Sequence, residues 1–235
     1  MTRYSVLCVL LTACIVGFLA PASADAAGAK PIAVLSLTSH DDLKGDTGGL
    51  GTLARVPDLP TWLSSVLRVF DEGKGASGLD ASRPWGVVLQ LGDRLSAYAF
   101  VPVRDAESLL WDLDEHIDAT EEVGSDVYRV TGTQPGKQLY ARLKGDWIYV
   151  ADRREDLSDV ADDPAGLLSG LNKKYDVALC VETGNIPEKE GRAIINLLGD
   201  KFGSVIRQHA SEEALHFLGE ALNASEQVTM GWKKH

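Results

Sequence analysis

Residues 85–103, WGVVLQLGDRLSAYAFVPV, contain two stretches of β-forming residues around a single break. Residues 87–89 form an apolar run, and residues 95–103 alternate with the period of two that is typical of a strand. The Gly92-Asp93 pair between them is a turn sequence. We therefore predict a β-hairpin, and Pro84 suits the start of its first strand, where a missing N–H group costs least.

Outward from this hairpin, runs rich in β-branched and aromatic residues predict further strands. Two of these runs are joined by Lys144-Gly145-Asp146, which predicts a second tight turn. The additional strands are predicted over residues 32–38, 127–131, 139–143, 147–151, 174–182 and 227–232.

Helices are predicted where apolar residues recur at helical spacing. Residues 59–70 carry one apolar face, and Asp105 is the expected N-cap of a helix that includes Leu109 and Ile117. Further helical segments are predicted over residues 153–171, from Pro187 onward and from Ser211 onward.

Interleaved hairpins and amphipathic helices predict an α+β fold, with a mixed, largely antiparallel sheet and helices on one face. The order strand, helix, helix, strand runs from Ile32 to Trp85 and recurs at similar spacing later in the chain, which predicts a β-α-α-β unit present twice. We predict one α+β unit over residues 27–170 and an incomplete second unit over residues 171–235. The alternative is one irregular α+β domain closed by a C-terminal strand.

The last predicted strand, QVTMGW at residues 227–232, lacks the hairpin and helix that follow its counterpart in the first unit. This difference is expected of a natural short form or of a frameshifted fragment of a longer protein. Such a strand pairs within the first unit or with another chain, because an open strand edge invites association. The expected partner is an unknown protein or a second copy bound through this strand.

Residues 1–24, MTRYSVLCVLLTACIVGFLAPASA, have the organisation of a signal peptide. Arg3 precedes an apolar run, and small residues at Ala22 and Ala24 predict cleavage after Ala24, with Ala26 as second choice. The run is shorter than the roughly 20 residues of a membrane span, so none is expected after cleavage. An uncleaved anchor and a lipoprotein attached at Cys14 are the alternatives. We expect an exported protein of the periplasm, cell envelope or extracellular space.

The chain of 235 residues has a formal net charge of −11, and its acidic residues are dispersed. This charge argues against nucleic acid and anionic membrane surfaces as partners, because both reward clusters of Lys and Arg. Cys180 alone remains after signal cleavage, so the fold is expected to rest on its core without disulfides. Its apolar neighbours predict a buried strand residue rather than a nucleophile.

Three segments resemble parts of longer exported bacterial proteins of unknown function. They are GLDASRPWGVVLQL (78–91), AYAFVPVRDAESLL (97–110) and YDVALCVETGNIPE (175–188), and the first is similar to the pattern L-D-x-S-[KR]-P-W-G of that family. The resemblance covers most of residues 31–235 and concerns strand entry and turns, so it implies no catalytic residues. It also implies that this chain is shortened at its C-terminus.

His40, Asp41 and Asp42, with Asp46 nearby, are the best candidates for a metal or acid–base site, because imidazole and carboxylates bind divalent cations. The alternative is a helix N-terminus capped by Ser39. Two weaker candidates are a loose calcium loop and an exposed charged helix face. They comprise Asp159, Asp162 and Asp163, and Asp114, Glu115 and His116, respectively.

The sequence contains no nucleophile elbow, zinc-protease or phosphate-loop motif. We therefore expect an exported, acidic, non-catalytic protein that binds a partner or associates with the envelope, and we assign it no catalytic, metal or cofactor residues. The alternatives are a carrier of a small ligand and a metal-dependent hydrolase centred on His40, Asp41 and Asp42.

Overall fold

The computed structural model describes residues 29–43, 78–112, 117–124, 126–132, 138–187 and 224–233. Within these residues, nine β-strands form one sheet. The strands are β1 (Lys30–Leu37), β2 (Trp85–Leu91), β3 (Leu95–Pro102), β4 (Ile117–Gly124), β5 (Val127–Gly132), β6 (Gln138–Lys144), β7 (Trp147–Ala151), β8 (Val177–Val181) and β9 (Val228–Trp232).

The order across the sheet is β4-β5-β6-β7-β3-β2-β1-β8-β9. Every pair of neighbouring strands is antiparallel. β1 lies between β2 and β8, so it joins the strands of the middle of the chain to the two last strands. β4 and β9 are the two edges of the sheet in the described part of the chain.

Local turn chemistry explains the two hairpins predicted from the sequence, and both are confirmed. In β2–β3, Val88 lies opposite Tyr98, and the Gly92 N–H group donates to the carbonyl oxygen of Arg94 at 3.1 Å. In β6–β7, the turn contains Gly145 with φ of 58°, a left-handed conformation that glycine adopts without steric cost.

Side chains alternate along the strands and give the sheet two buried faces. The Leu35 face includes the core residues Leu35, Val87, Ala99 and Ile148. The Val34 face includes the core residues Val34, Val88, Phe100 and Tyr149. The apolar run in β2 follows from this arrangement, because a strand covered on both sides needs apolar residues at consecutive positions.

Residues 152–170, here called the strap, cross the Val34 face. They contain the 3₁₀-helices Arg154–Leu157 and Pro164–Leu168, and Leu157, Val160 and Leu168 are buried against the sheet. The strap is therefore the second layer over this part of the sheet.

Three side chains of β6 and β7 hold the strap by its backbone. Arg142 donates to two strap carbonyls at 2.6 and 2.8 Å, whereas Lys144 and the Tyr149 hydroxyl each donate to one, at 2.7 and 2.6 Å. The accepting carbonyls belong to Leu157, Ser158, Val160 and Ala161.

The predicted α+β fold with helices on one face is wrong for the described residues, which are predominantly β. Their α-helices are three short segments, α1 (His40–Leu43), α2 (Ala106–Asp112) and α3 (Leu171–Lys174). The sheet is antiparallel throughout rather than mixed, and the strands assigned to two copies of a β-α-α-β unit lie in this single sheet. The helices predicted at 59–70, from Pro187 and from Ser211 lie almost entirely outside the described residues.

Two further elements differ from the predictions. Ile117 belongs to β4 rather than to the helix capped by Asp105. The acidic stretch after β7 forms 3₁₀ turns and one short helix, since Pro164 and a left-handed Gly170 interrupt regular helix there. Asp105 does cap α2, accepting hydrogen bonds from two backbone N–H groups at 3.1 and 3.2 Å. Within the described ranges, no helix has the length and apolar content needed to cross a bilayer.

Candidate functional site

The His40, Asp41 and Asp42 segment directly follows β1 and forms the first turn of α1. Ser39 caps this turn, because its hydroxyl oxygen accepts a hydrogen bond from the Asp42 N–H group at 3.1 Å. The Ser39 hydroxyl in turn donates to the Asp42 carboxylate at 2.6 Å, and the Thr38 hydroxyl donates to the same oxygen at 3.2 Å. The capping role predicted for Ser39 is confirmed.

The side chains of this segment stabilise the turn at the start of α1. The Asp42 carboxylate accepts hydrogen bonds from two hydroxyl groups of its own turn. The Asp41 backbone N–H group donates to the carbonyl oxygen of Ala81 at 3.0 Å. His40 is buried with 5% exposure, so it faces the protein interior. In the part of the chain that the structure describes, no three His, Cys, Asp or Glu side chains lie close enough to hold a metal ion. Asp46 lies outside that part.

The three aspartates of the predicted calcium loop have separate partners, and the Asp159 carboxylate accepts a hydrogen bond from the Ser158 hydroxyl at 3.3 Å. Asp162 forms an ion pair with Lys144 at 2.8 Å, which holds its carboxyl pKa below the usual value. Asp163 caps the helix Pro164–Leu168 by accepting from the Ala165 N–H group at 3.0 Å. The carboxylates are therefore used within the fold. Asp114, Glu115 and His116 lie outside the described residues.

An ion pair between a buried carboxylate and a partly exposed guanidinium group joins the strap to the β2–β3 turn. Asp156 is 5% exposed, and its carboxylate accepts a hydrogen bond from the guanidinium group of Arg94. Burial raises the pKa of the Asp156 carboxyl, although the positive charge of Arg94 opposes this shift. The sequence does not reveal this pair, because Asp156 stands among charged residues that are typical of an exposed segment.

Cys180 is a buried residue of β8, as its apolar neighbours predict. The Thr229 hydroxyl lies 3.6 Å from its sulfur, and the Glu182 carboxylate lies 3.5 Å from it. Burial raises the pKa of the Cys180 thiol, with a further contribution from the charge of Glu182. A buried thiol with a raised pKa is a poor nucleophile, so Cys180 acts here as a packing residue between β8 and β9.

β9 pairs with β8 on one side, and no described strand pairs with its other side. The Glu182 N–H group donates to the carbonyl oxygen of Ile32 at 2.8 Å, so it points toward β1. Backbone groups alternate in direction along a strand, so Val181 and Leu179 direct theirs toward β9. Their opposite residues in β9 are Val228 and Met230, which therefore direct their backbone groups toward β8.

It follows that Thr229 and Gly231 direct their N–H and C=O groups toward the open side of β9. Both residues are exposed, so solvent reaches this edge. We call the outward backbone groups of Thr229 and Gly231 the open edge. The sequence predicted a strand here, but the direction of each backbone group follows only from its pairing with β8.

The opposite edge of the sheet differs in charge. β4 has the sequence IDATEEVG, with three carboxylates in eight residues, and the Glu121 carboxylate forms an ion pair with Arg129 of the next strand. Charged side chains along an edge discourage addition of another strand. β9 has the sequence VTMGW and carries no charged residue and no proline. Of the two edges, β9 is the one suited to receive a strand.

The open edge offers backbone hydrogen bonds of the kind that recognise an extended peptide. Each such bond contributes about 1 kcal/mol net, and side chains on alternate positions of the added strand provide selectivity. No protein-family profile, curated protein sequence or solved structure matches this chain.

Proposed function

We propose that this chain is an exported, non-catalytic binding module that recognises an extended partner strand at the open edge of β9. The observation that carries the proposal is the set of outward N–H and C=O groups of the exposed residues Thr229 and Gly231, on a strand without charged residues. A partner strand satisfies these groups and continues the antiparallel sheet, which is recognition by β-augmentation.

The rest of the sheet supports this role by holding the edge in place. β9 is paired along all five of its residues with β8, and β8 is paired with β1 in the centre of the fold. The edge strand therefore presents its backbone from a rigid support, which lowers the entropy lost when a partner binds.

Export is proposed from residues 1–24, which lie outside the described part of the chain. We also propose, from the sequence alone, that the chain is related to exported bacterial proteins that share the L-D-x-S-[KR]-P-W-G pattern. A metal-dependent hydrolase centred on His40, Asp41 and Asp42 would need the Asp42 carboxylate as a metal ligand. That carboxylate already accepts hydrogen bonds from two hydroxyl groups of its own turn, which supports a non-catalytic role.

The test uses the purified chain without residues 1–24 and a phage-displayed library of linear nonapeptides as the probe. We expect selected peptides to alternate β-branched or aromatic residues with others, as strands do. Thr229→Pro removes an outward N–H group without removing a bond to β8, so we expect it to abolish retention of these peptides.

A matched control is available on the other edge. Thr120 of β4 lies opposite Val130, and the pairing of β5 with β6 directs the Thr120 N–H group away from β5. Thr120→Pro therefore makes the same change on an outward position of β4 and should leave peptide retention intact. Thr229→Val, which keeps the N–H group and removes only the hydroxyl, should also retain the peptides. The proposal is wrong if no peptide is selected, or if both proline variants retain the peptides equally.

A further inference from the structure

We infer that the partner at the open edge is a second copy of this chain, added antiparallel about a two-fold axis at Met230. The inference rests on the proposed function, because it names the occupant of the same edge. It is carried by the match between the backbone register of β9 and the distribution of charge along it.

The register of β9 allows a symmetric pair. Thr229 and Gly231 both direct their backbone groups outward and lie on either side of Met230. In an antiparallel pair centred on Met230, Thr229 of each copy stands opposite Gly231 of the other. Two such hydrogen-bonded pairs satisfy the open edge of both copies with about four backbone hydrogen bonds. The interface is isologous, as a two-fold axis requires.

Charge along the edge favours the antiparallel direction. Glu226 precedes β9, and the Gln227 amide donates to the Glu182 carboxylate at 2.6 Å, so this end of the strand is acidic. Lys233 follows β9 and is exposed, so the other end is basic. In the antiparallel pair, Lys233 of each copy stands opposite Gln227 of the other and one residue from Glu226. A parallel pair would place Lys233 beside its own counterpart.

Close packing beside the edge also suits the approach of a second backbone. Gly231 has no side chain, and the ring of Tyr175 covers it on the Val34 face, so nothing on that residue obstructs an added strand. β4 cannot form the equivalent pair without bringing its own carboxylates together. The two edges of the sheet are therefore not interchangeable.

A pair of five-residue strands is small beside the roughly 1,200 Å² buried in a stable complex, so the dimer is expected to be weak and concentration-dependent. Sedimentation velocity of the mature chain over about a hundredfold range of concentration should show a monomer–dimer equilibrium. Thr229→Pro should weaken it by at least about tenfold, whereas Thr120→Pro and Thr229→Val should leave it unchanged.

A cross-linking measurement tests the register and does not depend on a proline. In the proposed pair, the two Met230 Cα atoms face each other in a non-hydrogen-bonded position about 4.5 Å apart, which a disulfide can bridge. Met230→Cys in a Cys180→Ala background should give a disulfide-linked dimer with oxidised glutathione. Val228→Cys is the matched control, since its two copies would lie roughly 13 Å apart and should not cross-link.

The outcomes separate the inference from the proposed function. A monomer at all concentrations, with no Met230→Cys dimer, overturns the second copy as partner; the proposed function survives if the nonapeptides still bind in a Thr229-dependent manner. Equal cross-linking of Met230→Cys and Val228→Cys also overturns the register. If Thr229→Pro and Thr120→Pro weaken a dimer equally, that dimer forms through another surface, and the inference is overturned.

Discussion

The aromatic ring of Tyr175 occupies the space that a side chain at Gly231 would need. A Cβ atom at Gly231 would overlap two carbons of the ring, well inside the contact distance of real side chains. Tyr175 precedes β8 and Gly231 lies in β9, so the ring supports the edge strand from the Val34 face. Glycine is required at this position for packing, since its φ is not in the left-handed region.

We expect Gly231→Ala to lower the free energy of unfolding by about 2 kcal/mol, because the new methyl group overpacks against the ring. The same substitution in a Tyr175→Ala background should cost much less. Urea denaturation of the four proteins of this double-mutant cycle measures the coupling. Equal losses in both backgrounds would mean that the ring does not cover Gly231.

Gly86 in β2 is restricted by backbone as well as by side chains. An added Cβ atom would lie 2.6 Å from the carbonyl oxygen of Leu35 and 2.8 Å from the ring of Phe100. Because the carbonyl of a paired strand cannot move aside, we expect Gly86→Ala to cost about 3 kcal/mol of stability. Gly166→Ala is the control, since nothing lies within 4 Å of its Cβ position. Thermal denaturation that ranks the two variants in the reverse order contradicts this account.

The raised pKa of Asp156 predicts a specific dependence of stability on pH. The folded protein holds this proton more tightly than the unfolded chain, whose Asp carboxyl has an ordinary pKa of 3.8. Ionisation of Asp156 therefore costs no stability below that pH, costs progressively more as the pH rises toward the folded pKa, and costs a constant amount above it. We expect Asp156→Asn to gain stability relative to the wild type between pH 4 and neutral pH, measured by urea denaturation at each pH. A constant difference between the two proteins would show that the pKa is not raised.

Arg94 offsets part of the cost of burying Asp156. The substitution Arg94→Gln leaves a buried carboxylate without its cation. We expect it to lower the free energy of unfolding by about 2 kcal/mol at neutral pH. This is less than for a fully buried pair, because Arg94 is partly exposed. The loss should shrink as the pH falls and Asp156 takes up a proton. Arg129→Gln provides the comparison, since Arg129 and Glu121 form an exposed pair and its loss should cost less than about 1 kcal/mol.

Tyr149 connects the centre of the sheet to the strap through its hydroxyl group, which donates to the Ala161 carbonyl oxygen at 2.6 Å. We expect Tyr149→Phe to cost about 1 kcal/mol, the typical net contribution of one hydrogen bond. Hydrogen exchange should accelerate in the strap and stay unchanged in β8 and β9. Uniform acceleration throughout the sheet would mean that the strap is not held locally.

Chelation tests the hydrolase alternative directly. Because the Asp42 carboxylate accepts hydrogen bonds from Ser39 and Thr38, we expect the melting temperature to be the same with and without EDTA, and purified protein to contain no stoichiometric metal. A lower melting temperature in EDTA would restore the metal site proposed for His40, Asp41 and Asp42.

Local sequence signals predicted much of the sheet. The hairpins β2–β3 and β6–β7 follow from period-two alternation and from turn residues between the strands, both of which act over a few residues. β4 was not predicted because IDATEEVG contains three acidic residues, which are depleted in strands, and because Ile117 continues the apolar spacing of the preceding helical pattern. Its strand conformation depends on pairing with β5, which single-sequence periodicity does not contain.

The position of β1 between β2 and β8 is likewise a long-range property. Alternation identifies which residues share a face of a strand, but it does not identify the neighbouring strand. The sequence therefore predicted β9 as a strand without showing which of its backbone groups face outward. Asp156 is similar, since its burial depends on Arg94, which is 62 residues away in the chain.

The hydrogen bonds between the sheet and the strap bear on which strap residues can be substituted. Arg142, Lys144 and Tyr149 bind peptide carbonyls, which every residue type possesses, so these hydrogen bonds do not depend on the identity of the residues that supply the carbonyls. Exposed strap positions such as Ser158 and Asp159 are thus free to diverge or to be redesigned without loss of attachment. The strap is the natural place on this scaffold to graft a foreign epitope or reporter.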